Sequence, residues 1–217
     1  MKNIALIALA ALITGCGGQQ TKQVNPPAKP TEDTTVVKKP DTTETAVLKD
    51  TLISDSLPEN LYINIEVKDY GTMKVKFYTK DAPENVTNVA NLAIKEFYNG
   101  LTFHRIVPNF VVQGGDPKGD GTGGPGYTVK AEIKRKHEKG SIAMARIGGP
   151  ANPEKRSSGS QFYLCLQPLP QLDGEYTVIG KLVQGMDVLE KLGKVETGQR
   201  DMPVEPVIME SVTVTTE

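Results

Sequence analysis

Tryptophan is absent from the 217-residue chain, and aromatic residues of all kinds make up only 6% of it. Cysteine occurs twice, at Cys16 and Cys165, and histidine twice, at His104 and His137. A pair of cysteines excludes a disulfide-stapled scaffold, and the sparse histidines and cysteines offer no metal-ligand spacing, so no metal and no cofactor is expected. Neither sign of charge is in excess: 25 Lys and Arg against 26 Asp and Glu leave a formal net charge of −1. Nucleic-acid binding calls for a basic excess or stripe, so no nucleic-acid partner is expected. The apolar run Ile4–Ile13 falls well short of the roughly 20 residues a membrane-spanning helix needs.

That run follows Met1-Lys2-Asn3 and precedes Thr14-Gly15-Cys16, the order of a signal peptide: a positive start, an apolar core, then small residues. Ile13-Thr14-Gly15-Cys16 resembles the bacterial lipobox. The resemblance implies removal of residues 1–15 and acylation of Cys16, with the lipid bilayer as a partner; an ordinary secretory signal with an incidental cysteine is the alternative. Several acyl chains hold a protein firmly where one does not. The chain is then expected in the cell envelope, lipid-anchored and facing the periplasm. Gly17 after the cysteine favours the outer membrane by the rule that holds in enteric bacteria.

From residue 16 to 57 the composition turns to Thr, Pro and Lys with no aromatic residue, as in Asn25-Pro26-Pro27-Ala28-Lys29-Pro30. Such a segment buries too little apolar surface to offset its ordering entropy. It reads as a disordered tether, and about 40 residues of coil span roughly 35 Å.

Residues 58–217 carry the regular patterns. Leu61–Val67 alternates apolar and polar residues, and Thr72–Phe77 returns as a hairpin. Asp81-Ala82-Pro83 opens a helix, with Asp near the cap and Pro in its first turn, that runs to Asn99-Gly100. Short strands follow at 102–107, 110–113, 141–145, 162–166, 176–183 and 207–214, with a second helix at 185–192. Short strands between turn signals, plus two helices, suggest a closed antiparallel barrel capped by helices.

Two segments stand out: Phe103-His104-Arg105-Ile106-Val107-Pro108-Asn109-Phe110-Val111-Val112-Gln113-Gly114-Gly115-Asp116, and Ser158-Gly159-Ser160-Gln161-Phe162-Tyr163 followed by Leu172-Asp173-Gly174. They resemble the signature segments of the cyclophilin family, in the right order. The resemblance implies a mainly β fold, a closed eight-stranded antiparallel barrel capped by two α-helices, acting without a cofactor as a peptidyl-prolyl cis-trans isomerase on proline-containing polypeptides. A monomer is the default for such a barrel. The alternative is a proline-segment binding or chaperone module with little catalysis.

The chemistry fits those residue types. Rotation about an Xaa-Pro bond is slow because the nitrogen lone pair is delocalised, with a barrier of about 18–20 kcal/mol. A catalyst needs a donor aimed at that nitrogen, an apolar seat for the ring and clamps on the flanking backbone. Arg105 is the candidate donor, charged at all relevant pH; a strand arginine in a surface ion pair is the bland alternative. The resemblance adds Gln113 and Phe110 as catalytic, with Val111, Ala145, Arg146, Gln161, Tyr163, Leu172 and Tyr176 binding substrate. Ala145 and Arg146 would act through backbone groups, and Gln161 reads equally well as a strand residue bonding neighbouring backbone. Val111, Arg146, Gln171 and Tyr176 depart from the Met, Asn, Trp and His of many eukaryotic members, and the missing indole at Gln171 implies weak cyclosporin binding. The 146–158 stretch is longer than in compact members and would overhang the groove, as a specificity loop or a tolerated insertion. The glycine-rich 114–126 run lacks the Lys-Ser/Thr ending of a phosphate loop. His104 reads as a buried structural residue, and Cys165 as an inert thiol.

Overall fold

Strands β1 (Leu61–Val67) and β2 (Gly71–Phe77) form the expected hairpin. Leu61, Ile63, Ile65 and Val67 are buried while the residues between them are half-exposed, the two-residue period of a strand with one wet face. The computed structural model describes residues 57–216, so the expected signal peptide, the expected acylation site at Cys16 and nearly all of the expected tether lie outside the described residues.

Eight strands make one antiparallel sheet, adding β3 (Arg105–Val107), β4 (Val111–Gly114), β6 (Ser141–Met144), β8 (Phe162–Cys165), β9 (Val178–Gln184) and β10 (Met209–Thr216) in the order β10-β1-β2-β9-β6-β8-β4-β3. The sheet is strongly curled but open, which corrects the expectation of a closed barrel: β10 and β3 are edges and do not pair. The chain ahead of β3 instead meets the start of β10 and the residues before it, through the bridge Thr102↔Ile208 and the bonds Phe103 N–H to Val207 O (2.9 Å) and Met209 N–H to Leu101 O (2.8 Å). The antiparallel register does not continue from this bridge into β3. A second sheet of two short strands, β5 (Thr128–Val129) and β7 (Ser157–Ser158), has no counterpart in the sequence expectations.

Helix α1 (Pro83–Ile94) begins where Pro83 predicts, but Asp81 does not cap it. Glu132 does: its carboxylate accepts the N–H groups of Glu84 (3.1 Å) and Asn85 (2.9 Å), placing a negative charge at the helix N-terminus. Asp81 instead pairs with Arg135 at 2.6 Å. The helix also ends earlier than Asn99-Gly100, at Ile94, and the chain turns there with Glu96 at φ 58°. Together with α2 (Met186–Leu192), α1 shares one core with the sheet that includes Ile63, Phe77, Val89, Phe103, Phe162 and Leu189.

Register decides what faces where. Ile106 lies opposite Val112, Val112 opposite Leu164 and Leu164 opposite Ile142, and all four enter that core. One residue out of phase, Arg105 lies opposite Gln113, Gln113 opposite Tyr163, Tyr163 opposite Ala143 and Ala143 opposite Val178. This second row stands on the other face of the same strands. A one-residue slip would exchange the two rows, so the hydrophobic core itself fixes the position of Arg105 and Gln113.

Candidate active site

The outward row belongs to a second, smaller apolar cluster of Val111, Ala143, Ala145, Tyr163, Cys165, Leu169 and Val178, with Phe110, Leu172 and Tyr176 packed against it. A cavity of about 190 Å³ opens in it, lined by Arg105, Phe110, Val111, Gln113, Ala145, Arg146, Tyr163, Leu172 and Tyr176. Nine of the ten candidate residues are thus brought together. The tenth, Gln161, lines an adjoining groove of about 820 Å³, which shares Gln113, Ala145 and Arg146 with the cavity and is walled by Ile147, Asn152 and Arg156 of the long loop.

Along one side of the cavity runs a chain of polar contacts. Arg105 Nη1 donates to Gln113 Oε1 (3.4 Å), Gln113 Nε2 donates to Gln161 Oε1 (3.1 Å), and Gln161 Nε2 donates to the carbonyls of Gly121 (3.1 Å) and Gly123 (2.8 Å). Gln161 is buried and fully engaged, so the structure favours its reading as a bonding strand residue, one that ties Gln113 to the glycine-rich loop. The guanidinium has a second partner the sequence reading missed: Asp201 Oδ2 lies 3.4 Å from Arg105 Nε. Asp201 ends a short 3-10 turn whose last two residues, Arg200 and Asp201, have φ near 60°. No local motif marks it; only the tertiary path of the segment before β10 brings it to β3. The Arg105 side chain remains 37% exposed, leaving it accessible from the cavity.

The other side is apolar and rigid. Arg146 reaches across the rim: its guanidinium lies over the Tyr176 ring at 4.7 Å, Nε donates to Glu175 O (2.9 Å) and Nη2 pairs with Glu175 Oε2 (2.9 Å). Only 9% of that side chain is exposed, so it acts as a wall. Lys155 holds the same carboxylate at 2.7 Å, and the two cations, Lys155 first, keep the Glu175 carboxyl below its usual range. The long loop is therefore pinned to the pocket rim, and Arg156 fixes its far end through Thr128 Oγ1 (2.8 Å) and Thr128 O (2.9 Å). Ala145 uses its N–H on Gln161 O (3.0 Å) and its carbonyl on Ser158 N–H (2.7 Å). Its N–H is thus committed within the fold, and its carbonyl keeps a second lone pair.

Two other side chains take no part in the cavity lining. His104, next to Arg105, points the opposite way and is buried, which pushes its imidazole below the ordinary histidine value. Burial pushes the Cys165 thiol up to about 12, so the reactive thiolate is negligible near neutral pH.

Residues 62–214 match the family model for cyclophilin type peptidyl-prolyl cis-trans isomerase/CLD. Over 143 residues the chain is 44% identical to a peptidyl-prolyl cis-trans isomerase of Helicobacter pylori, an alignment covering 64% of this chain and 83% of that protein. It is 42% identical over 129 residues to peptidyl-prolyl cis-trans isomerase B of Bacillus subtilis, covering 58% of this chain and 86% of the relative. A crystal structure of a Cryptosporidium parvum cyclophilin type isomerase, solved in the presence of the dipeptide Ala-Pro, superposes with a TM-score of 0.66 at 29% identity, covering 72% of this chain and 99% of that one. Sequence, curled sheet and pocket register agree, and the chain belongs to the family of cyclophilin-type peptidyl-prolyl cis-trans isomerases.

Proposed function

We propose that this cyclophilin-type isomerase (EC 5.2.1.8) accelerates Xaa-Pro rotation in exported proteins and assists their folding in the cell envelope, held at the membrane by acylated Cys16. The observation that carries the catalytic part is the juxtaposition of Arg105 with an apolar cavity on one face of the sheet. At about 190 Å³ the cavity is smaller than the roughly 300–1,000 Å³ of sites for drug-sized ligands, a size suited to one pyrrolidine ring. With the ring seated among Phe110, Val111, Tyr163 and Leu172, the guanidinium edge faces the imide. As the bond twists, the lone pair localises on nitrogen and becomes an acceptor. An Arg105 N–H then gains a hydrogen bond that the planar ground state cannot offer, which is differential stabilisation of the transition state. Gln113 has one amide hydrogen committed to Gln161 and a second for the substrate carbonyl. Contact to the residue before proline falls to the Ala145 carbonyl and the Arg146 backbone.

Proton transfer, a nucleophile and a metal play no part in this scheme, so its rate should be flat across neutral pH. The test is NMR exchange spectroscopy on an Ala-Pro peptide with full-length protein. Exchange far above the uncatalysed rate, which corresponds to about 10–100 s per event, is expected. Peptide binding with no acceleration would leave only a binding module. For the envelope part, Cys16→Ser should move the protein from the membrane fraction to the soluble one; continued membrane retention would remove the anchor from the proposal.

A further inference from the structure

Behind the cavity lies a histidine to which no role in the reaction attaches. His137 is fully buried in its side chain and makes polar contacts in three directions. Its Nε2 meets the Tyr163 hydroxyl at 2.9 Å. Its Nδ1 lies 2.9 Å from Asp173 Oδ1, and its backbone N–H donates to the same oxygen at 2.7 Å. Its carbonyl accepts the Leu169 N–H at 2.9 Å. Leu169 and Asp173 flank the 3-10 turn Pro170–Leu172, so one residue grips that turn at both ends. The aromatic packing follows suit: the His137 ring is parallel to Tyr163 (7°, centroids 6.0 Å apart) and edge-on to Tyr176 (89°, 6.3 Å).

The proton arrangement follows from the partners. A carboxylate only accepts, so Nδ1 carries a proton toward Asp173, while Nε2 and the Tyr163 hydroxyl share the second hydrogen bond. Burial pushes the Tyr163 hydroxyl above the ordinary tyrosine range, which keeps it a donor, and the bonds from His137 hold the Asp173 carboxyl below its usual range.

Three of the residues lining the proline cavity, Tyr163, Leu172 and Tyr176, are therefore held by a single residue that does not itself line it: Tyr163 and Tyr176 by its ring, and Leu172 through the turn that its backbone and Nδ1 grip together. We propose that His137 is a positioning residue that sets the shape of the proline seat, acting on Tyr163 through the hydroxyl and on Leu172 through the clamped turn. The proposal rests on the reading of this cavity as the proline site. It differs in kind from the role of Arg105. The seat holds the ring alike in the planar and twisted states, so loosening it weakens binding uniformly and raises KM with little change in kcat.

The experiment is a double-mutant cycle with His137→Phe, Tyr163→Phe and the double variant, measuring kcat, KM and thermal midpoint in the full-length protein. His137→Phe keeps an aromatic ring and the two backbone contacts but loses the side-chain bonds to Tyr163 and Asp173; KM should rise about tenfold with kcat within about threefold. Tyr163→Phe removes only the hydroxyl and should raise KM less. The double variant should be no worse than His137→Phe alone, the sign of one shared interaction. Unchanged KM in folded His137→Phe overturns the proposal, as does a fall in kcat at constant KM or an additive double variant. If His137→Phe does not fold, Tyr163→Phe decides: a KM equal to wild type rejects the hydroxyl link. Failure of the wild type to catalyse at all would instead remove the proline-site reading, which the first measurement reveals before any variant is compared.

Discussion

Replacing Arg105 with alanine should lower kcat/KM for an Ala-Pro peptide about 10²–10³-fold, the loss of roughly 3–4 kcal/mol that removal of one preorganised transition-state donor produces. The loss should fall on kcat, because the planar imide nitrogen accepts no hydrogen bond and the ground state gains little from the guanidinium. Arg105→Lys should recover only part of the rate. An ammonium supplies charge, but not the planar fork that Gln113 and Asp201 hold from two sides at 3.4 Å each. Neither substitution should unfold the domain, since the side chain is more than a third exposed and its neighbours Ile106 and Val112 carry the strand's burial. Thermal midpoints within a few degrees of wild type, with a collapsed kcat, are the expected pair of results. An alanine variant retaining more than a third of wild-type kcat would mean that ring seating alone lowers the barrier, and Arg105 would revert to a surface ion pair with Asp201.

The split between what the sequence shows and what it hides is physical. A two-residue period and a helical stripe are local, so β1, β2 and the start of α1 can be read directly, and the signature segments place Arg105, Phe110 and Gln113 in order along one stretch of chain. Their convergence with Tyr163, Leu172 and Tyr176 follows from strand register, which the alternation Ile106, Val112, Leu164 already encodes. Contacts made by side chains arriving from distant segments are another matter. Glu132 as the cap of α1, Asp201 beside Arg105 and Asp173 on His137 are acidic residues in loops, indistinguishable in sequence from solvated ones. The open seam is hidden for a similar reason: whether the two edge strands β10 and β3 meet is set by the path of the chain and not by strand propensity. Gln161 shows the middle case, where strand position was legible but the partners, Gly121 and Gly123, were not.

The signature itself mixes chemistry with architecture, and Gly115→Ala should expose the difference. In Gln113-Gly114-Gly115-Asp116 only Gln113 reaches the cavity. Asp116 turns its buried carboxylate back onto the N–H groups of Lys118 (2.8 Å), Asp120 (3.2 Å) and Gly121 (2.6 Å), shaping the loop that Gln161 then holds. Gly115 sits at φ +81°, and a Cβ there would lie 2.5 Å from Ser160 O and 3.2 Å from both Phe162 and Tyr98. Left-handed strain costs about 1–2 kcal/mol and overpacking about 1–3 kcal/mol. For a domain of this size the combined penalty corresponds to a fall in thermal midpoint of roughly 5–15 °C. Gly126 is the control: its φ is +91°, but nothing lies within 4 Å of the added Cβ, so Gly126→Ala should show the strain alone, about 1–2 kcal/mol. Thermal unfolding followed by circular dichroism separates the two. Equal midpoints for both variants would mean that the bend at Ser160 gives way without cost. In that case the glycine would be required for backbone conformation only, and not for the close approach between the two signature segments.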